Sequence, residues 1–303
     1  MLKKTLRVFL FLLLIVGLTS LSAAPQKEAL GSENNPIVWS FVPSGEMERV
    51  SSGARAVADL LHDKTGLYFK TNVATEYAGV IEALRAKPPS AHMASLATFA
   101  YVMAADLGCA EAALVSVRSG KATYNGQIIA RTDRGINSIP DLKGKTFARP
   151  DPLSASGWII PMLTLRSKGI VPEKEMKIVD AGSHDSVVAA VYNGDVDAGA
   201  CYVDARTRIE KEHPDVMEKI KVLEVTIEIP NDGVQFIPSM PKELRAKIVK
   251  ALLDIAATEE GKKALNTAYQ WTALLEQTDK FYDPFRQVLQ ASGLKIEDLM
   301  KKK

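Results

Sequence analysis

An α/β architecture with mainly parallel sheets, divided between two lobes, is the reading on which three features of the chain converge. Short apolar segments alternate with segments whose apolar residues recur every three or four positions, the signature of βα units. The 303 residues exceed what one apolar core usually serves, because single cores stop growing at roughly 250–300 residues. Composition is that of an ordinary globular chain, 47% hydrophobic and 24% charged, which sets disordered, collagenous and disulfide-scaffold classes aside.

Residues 1–24 stand apart from the rest. Lys3, Lys4 and Arg7 precede an apolar run from Val8 to Val16 that Leu18 extends, and the small residues Ser20, Ser22, Ala23 and Ala24 close it. A basic start, an apolar stretch short of the ~20 residues of a bilayer span and a small-residue cleavage zone read as an export signal. Pro25 is a poor residue just past a cut, so cleavage at or near Ala23 is expected. The segment holds three of the 38 basic residues and none of the 36 acidic ones, leaving 35 against 36, a net charge of −1. A nucleic-acid footprint needs a clustered basic face, and none is expected here. Residues 25–35 read as a mobile leader, and Lys301, Lys302 and Lys303 as a frayed tail.

The folded part opens with a strand over 37–42. A helix over 46–64 follows, with Val50, Ala54, Val57 and Leu61 on one face. A strand over 68–73 leads to a helix over 76–86 that turns Val80, Ile81 and Leu84 inward and is stopped by Pro88 and Pro89. A third helix over 95–103 comes after a short strand. A second set has strands over 127–131, 145–148, 176–179 and 196–200, with helices over 158–168 and 184–192. Helical segments over 242–257 and 259–269 complete the pattern. Cys109 and Cys201 each sit among small apolar residues, which reads as two buried thiols more readily than as a disulfide.

In an open α/β sheet, ligands bind beyond the carboxyl ends of the strands, where helices begin and free N–H groups favour anions. Four such junctions carry hydroxyl, phenol or imidazole groups: 75–77, Ser95, 151–157 and 182–185. A lone hydroxyl there needs no explanation beyond helix capping. Ser154 and Ser156 together exceed what a cap requires, and Gly157 gives a ligand room to approach the backbone. His184 falls in a first helical turn, where the helix dipole holds imidazole neutral and able to donate one N–H to an oxyanion; a histidine that only packs or caps is the other reading. His62, His92 and His213 read as surface or loop residues.

Enzyme signatures are weak. Gly144, Lys145 and Thr146 form the tail of a P-loop, but Ile139 stands where its first glycine belongs. H-E-x-x-H, C-x-x-C and G-x-S-x-G are absent, so neither a metal nor a cofactor is expected. A Ser154 or Ser156 nucleophile served by His184 remains as a hydrolase alternative.

At these junctions the sequence resembles the phosphonate/phosphite-binding proteins of ABC transporters, a branch of the two-lobed periplasmic solute-binding proteins. The matching stretches are 76–84 (EYAGVIEAL), 142–148 (LKGKTFA), 151–161 (DPLSASGWIIP), 182–199 (GSHDSVVAAVYNGDVDAG) and 229–232 (IPND), within a likeness running from Val38 to Pro284. The resemblance implies two α/β lobes joined by a pair of crossover strands, one built from 36–125 plus 230–303 and the other from 126–229. It implies a phosphonate or similar anion held by Ser154, Ser156, the Gly157 N–H and His184, with Tyr77 and Ser95 approaching from the other lobe. Asp204 and Asp232 occupy places where family members meet a ligand ammonium. A membrane permease as partner, a monomeric state and an extracytoplasmic location are also implied. A sensor subunit for a membrane histidine kinase, with Cys109 reporting a thiophilic oxyanion, is the alternative role on the same fold. Two departures stand out: Ala155 replaces a threonine of the family's S-T-S-G, and Ala94 falls where some members have tyrosine. Both are expected to enlarge the pocket, and Trp158 is a candidate for one of its walls.

Overall fold

The computed structural model describes residues 28–294; the segment read as an export signal, the first part of the leader and the lysine tail lie outside the described residues. In chain order, β1 (Ile37–Phe41), α1 (Met47–Thr65), β2 (Phe69–Val73), α2 (Tyr77–Arg85), β3 (Met93–Ser95), α3 (Thr98–Asp106) and β4 (Glu111–Val117) come first. The chain then runs through β5 (Thr123–Arg131), β6 (Thr146–Arg149), a π-helical turn (Ala155–Ile159), α4 (Ile160–Ser167), α5 (Pro172–Glu175), β7 (Lys177–Asp180), α6 (His184–Asn193), β8 (Ala198–Tyr202), α7 (Val216–Lys219) and β9 (Ile220–Pro230). It closes with β10 (Gly233–Phe236), α8 (Lys242–Ala256), α9 (Glu259–Tyr269), β11 (Ala273–Glu276) and α10 (Asp283–Ala291).

The strands form two sheets, ordered β2-β1-β3-β10-β4-β11 in lobe 1 and β7-β6-β8-β5-β9 in lobe 2. Strands of the βα units pair in parallel, β1 with β2 and β3, β6 with β7 and β8. The sheets are nevertheless mixed, because β4, β5, β9, β10 and β11 pair antiparallel. Parallel neighbours need a long crossover, usually a helix, and the strands that carry the chain between sheets have none between them. β5 and β9 run together from Thr123 opposite Pro230 to Arg131 opposite Ile220, so the chain leaves and re-enters lobe 1 side by side.

Local chemistry explains the elements that position the cleft. Glu46 starts α1 by accepting from the N–H groups of Glu48 and Arg49, and Gly66, at φ 71°, ends it in the left-handed conformation glycine tolerates. The predicted inward residues Val50, Ala54, Val57 and Leu61 are all buried, as are Val80, Ile81 and Leu84 of α2. α3 begins at Thr98 rather than 95, since Ser95 is the last residue of β3. Unlike α1 it is covered on all sides, so an amphipathic pattern does not mark its bounds. β9 escapes the sequence reading because it is an edge strand in which Lys221, Glu224 and Glu228 interrupt the apolar residues.

Residues 28–35, read as part of a mobile leader, fold into a turn instead. Glu28 accepts from Ser32 Oγ and Asn34 Nδ2, Gly31 N–H donates to Asn35, and Tyr68 N–H donates to Gly31. One buried apolar cluster draws residues from both lobes, including Trp39 and Phe99 of lobe 1 with Phe147, Ala155 and Trp158 of lobe 2. A smaller cluster around Val187, Val188 and Val191 lies under α6. Among the described residues, no helix is long and apolar enough to cross a membrane.

Candidate ligand-binding cleft

The carboxyl ends of the parallel strands of both sheets converge on a cavity of about 310 Å³ between the lobes. Lobe 2 contributes Ser154, Ser156 and His184, all 3% exposed or less. Ser154 caps the π-helical turn, its Oγ accepting from Gly157 N–H at 3.1 Å. The same Oγ lies 3.3 Å from His184 Nε2. Capping and site are therefore one and the same hydroxyl.

The tautomer of His184 follows from its other nitrogen. Nδ1 accepts from the Tyr202 backbone N–H at 3.2 Å, so in the neutral ring the proton sits on Nε2. Burial, with a smaller contribution from the Arg118 cation, brings the pKa of His184 down from 6.5 to about 3, so the ring is neutral at physiological pH. Ser154 Oγ, accepting from both Gly157 N–H and His184 Nε2–H, keeps its own proton to donate. Ser156 belongs to a turn that β5 approaches closely: a Cβ on Gly126 would meet the Ser156 carbonyl oxygen at 2.5 Å, which only glycine avoids.

Lobe 1 contributes Tyr77, at the start of α2 and fully buried. Its hydroxyl has no hydrogen-bond partner, an uncommon and costly state for a buried polar group. Burial first, then the nearby Asp151 charge, raises its pKa well above the usual phenol range, so it is a neutral donor. The Tyr77 backbone N–H is held by Asp151 Oδ2 of lobe 2 at 3.0 Å. In reverse, the His184 backbone N–H at the start of α6 is held by the Ser44 carbonyl of lobe 1 at 3.2 Å. Asp185 adds an ion pair across the cleft, its Oδ2 accepting from Arg49 Nη2 at 2.6 Å and from Glu46 N–H at 3.1 Å. Each lobe thus caps a helix start of the other, and the lobes stand closed.

Arg118 and Asp232 lie where the chain crosses between lobes. Arg118 forms a two-pronged pair with Asp232, both bonds 2.7 Å, and Asp232 Oδ1 also accepts from Ser116 Oγ and Trp271 Nε1. Asp232 lines the cavity, but its oxygens are occupied by these donors. Asp204 does not line the cavity at all. It pairs with Arg206, accepts from Gln127 Nε2 and starts a short 3₁₀ turn. The pair of carboxylates that the resemblance assigns to an ammonium is therefore not assembled around the cleft.

Other expected features also shift. Ser95 lies outside the lining, its Oγ accepting from Trp39 Nε1 at 3.1 Å. Gly157 is also outside: a Cβ there would collide with the Pro150 ring at 2.4 Å, so packing within lobe 2, not ligand approach, requires glycine. Ala155 and Ala94 are fully buried and do not themselves line the cavity. Trp158 is core, with the Arg149 guanidinium 4.4 Å from its ring. Cys109 and Cys201 are separate buried thiols. Among the described residues, no group of three or more His, Cys, Asp or Glu side chains is arranged to hold a metal ion.

The sequence reading misses Arg118, Tyr124, Tyr202, Arg208 and Gln270, all in the lining. Only Tyr202, at the end of a strand before a loop, carried a usable signal. Gln270 ends α9 beside the cavity in the left-handed conformation, at φ 58°.

The profile of a family described as the periplasmic substrate-binding protein of phosphonate ABC transporters matches residues 39–282. The "Phosphate-import protein PhnD" of Mycolicibacterium smegmatis is 30% identical over 212 residues, 65% of either chain, so the match spans just under two thirds of that relative. A binding-protein component of an ABC phosphonate transporter from Pseudomonas aeruginosa superposes with a TM-score of 0.78 at 24% identity, covering 85% of this chain and 87% of that one. PhnD1 from Prochlorococcus marinus, in complex with methylphosphonate, superposes with a TM-score of 0.75 at 15% identity, covering 85% and 98%. At these identities the two structures establish a shared two-lobed fold.

Proposed function

This chain belongs to the periplasmic substrate-binding proteins of phosphonate ABC transporters, and from that premise we propose that it captures a phosphonate or related phosphorus oxyanion between its lobes and delivers it to a membrane permease. The observation that carries the reading is the convergence of hydrogen-bond donors on one closed cavity. The Ser154 O–H, whose oxygen accepts from His184 Nε2–H, and the unpartnered Tyr77 hydroxyl come from opposite lobes, with Ser156 beside them and the Arg118 cation at the crossing. Such a set suits a group that only accepts, and hydrogen bonds to an ionised acceptor are the strong ones.

The family's role is substrate binding for transport. The hydrolase alternative also meets a chemical obstacle. A base for Ser154 needs an unprotonated Nε2, and the Tyr202 N–H on Nδ1 sets the opposite tautomer. The thiol-reporting version of the sensor alternative lacks support, because Cys109 is buried in lobe 1, donates to the Ala104 carbonyl and has its pKa raised by burial. Extracytoplasmic location goes with the family; export by residues 1–24, a monomeric state and the phosphonate-binding roles of Ser154, Ser156, His184 and Tyr77 belong to the proposal.

Thermal unfolding against methylphosphonate, 2-aminoethylphosphonate, phosphite, phosphate and sulfate tests it. A ligand at about 100 times its Kd adds about 2.7 kcal/mol, which raises Tm by roughly 4–6 °C in a chain of this size. A shift with phosphorus oxyanions that falls to about a third in Ser154→Ala is expected; no shift with any of them, or shifts indifferent to Ser154 and His184, would overturn the reading.

A further inference from the structure

The lining holds two groups of different chemistry. In one, Ser154, held by His184, and Tyr77 present neutral hydroxyls. Tyr202 adjoins it, with its ring 4.8 Å from the His184 ring and its hydroxyl 3.4 Å from Arg208 Nε. Tyr202 therefore touches both His184 and Arg208, and all three line the cavity. Its guanidinium meets neutral groups: the Tyr202 hydroxyl and, with the amide oriented so that oxygen faces it, Gln270 Oε1 at 2.9 and 3.0 Å.

The other cations of the lining each have a carboxylate: Arg49 has Asp185 at 2.6 Å, Arg118 has Asp232 at 2.7 Å and Lys121 has Glu228 at 3.8 Å. Arg208 forms no ion pair with a carboxylate of the described residues, although it is half-buried between the lobes. A guanidinium so placed favours an anion that arrives with the ligand, and its planar fork matches a carboxylate or phosphonate. The two carboxylates that the resemblance assigns to an ammonium are meanwhile engaged, Asp232 by Arg118 and Asp204 by Arg206. Arg208 and Gln270 come from opposite lobes, so an anion held there would bridge the cleft at a second point.

Resting on the proposed oxyanion site, we infer that Arg208 and Gln270 form a second anion-recognising group in the cavity. The preferred ligand class is then a phosphonate that carries another anionic group, a carboxylate or a second phosphonate, on a short carbon chain.

Calorimetric titration with methylphosphonate, 2-aminoethylphosphonate, 3-phosphonopropionate and ethylenediphosphonate tests this. At least one of the two doubly anionic ligands should bind about ten-fold or more tightly than methylphosphonate, and the aminophosphonate should gain nothing; the stronger of the two identifies the second group. Arg208→Gln should lower affinity for that ligand about ten-fold more than affinity for methylphosphonate. Gln270→Glu, which sets a carboxylate against Arg208 without removing it, should erase the preference and covers the case in which the arginine variant fails to fold. Equal affinities for singly and doubly anionic ligands, or a preference untouched by both variants, would overturn the inference while leaving oxyanion binding intact. Binding of none of the four would overturn both.

Discussion

On the lobe 2 wall, Gly157 N–H, Ser154, His184 and the Tyr202 backbone form an unbroken hydrogen-bonded chain. On the lobe 1 wall, Tyr77 buries a hydroxyl that nothing satisfies, and the helix it starts is capped only by Asp151 reaching across from lobe 2. Donors already held in place cost little to use, whereas an unsatisfied buried group gains most from a ligand oxygen. The asymmetry predicts an order: an anion lands on lobe 2, and Tyr77 rewards closure. Four experiments probe that contrast.

Acid should separate the walls most strongly. The pKa of His184 falls from 6.5 to about 3 on folding, so below pH 6.5 the unfolded chain takes a proton that the native chain refuses. Its contribution is complete above 6.5 and is lost as pH falls toward 3, at up to about 1.4 kcal/mol per pH unit. Asp151 acts in the opposite sense, because burial raises its pKa and the native state takes that proton first. The lobe 1 tyrosines do not titrate in this range. Urea midpoints between about pH 6 and 4 should therefore fall more steeply in the parent protein than in His184→Gln; parallel slopes would mean that His184 is charged in the fold.

Next in size is Ser154→Ala. It removes a ligand donor and a cap together, so affinity should drop by about 2 kcal/mol, roughly 30-fold, and stability by about 1 kcal/mol. Titration calorimetry and thermal unfolding read the two losses separately, and full affinity would remove lobe 2 as the landing wall.

Tyr77→Phe should split its effects in sign. Deleting the orphan hydroxyl should stabilise the ligand-free protein by about 1 kcal/mol while weakening oxyanion binding roughly ten-fold. A variant that is less stable yet binds as before would show that the hydroxyl serves packing alone.

Smallest is the latch of Arg49 and Asp185, whose side chains are 24% and 13% exposed. Arg49→Ala should weaken binding by about 1 kcal/mol or less, mainly through faster release, with reduced sensitivity to salt. Stopped-flow dissociation measures this, and an unchanged rate would assign closure to the apolar contacts between lobes.

Much of this molecule was legible in its order of residues. The spacing of Val50, Ala54, Val57 and Leu61 marked α1, and Ser183 and His184 marked the start of α6, because caps and amphipathic faces involve residues a few positions apart. Ser154, placed at a helix start by the sequence, both caps the π-helical turn and lines the cavity. α3 and β9 were mislaid for opposite reasons, one buried on all sides and the other charged along a sheet edge.

What the order of residues determined by itself was the alternation of strands and helices and the placing of Ser154, Ser156, His184 and Tyr77 at helix starts, where the backbone favours anions. Tertiary structure alone decided which charges stay available. Asp232 is engaged by an arginine 114 positions away, Gly157 by a proline ring, and Arg208 meets Gln270 only because the lobes close. Periodicity and capping are short-range and survive in a linear reading; the pairing and burial of a charge depend on groups that only folding brings near, and in this cleft they separate a carboxylate that lines the wall from one that is available to a ligand.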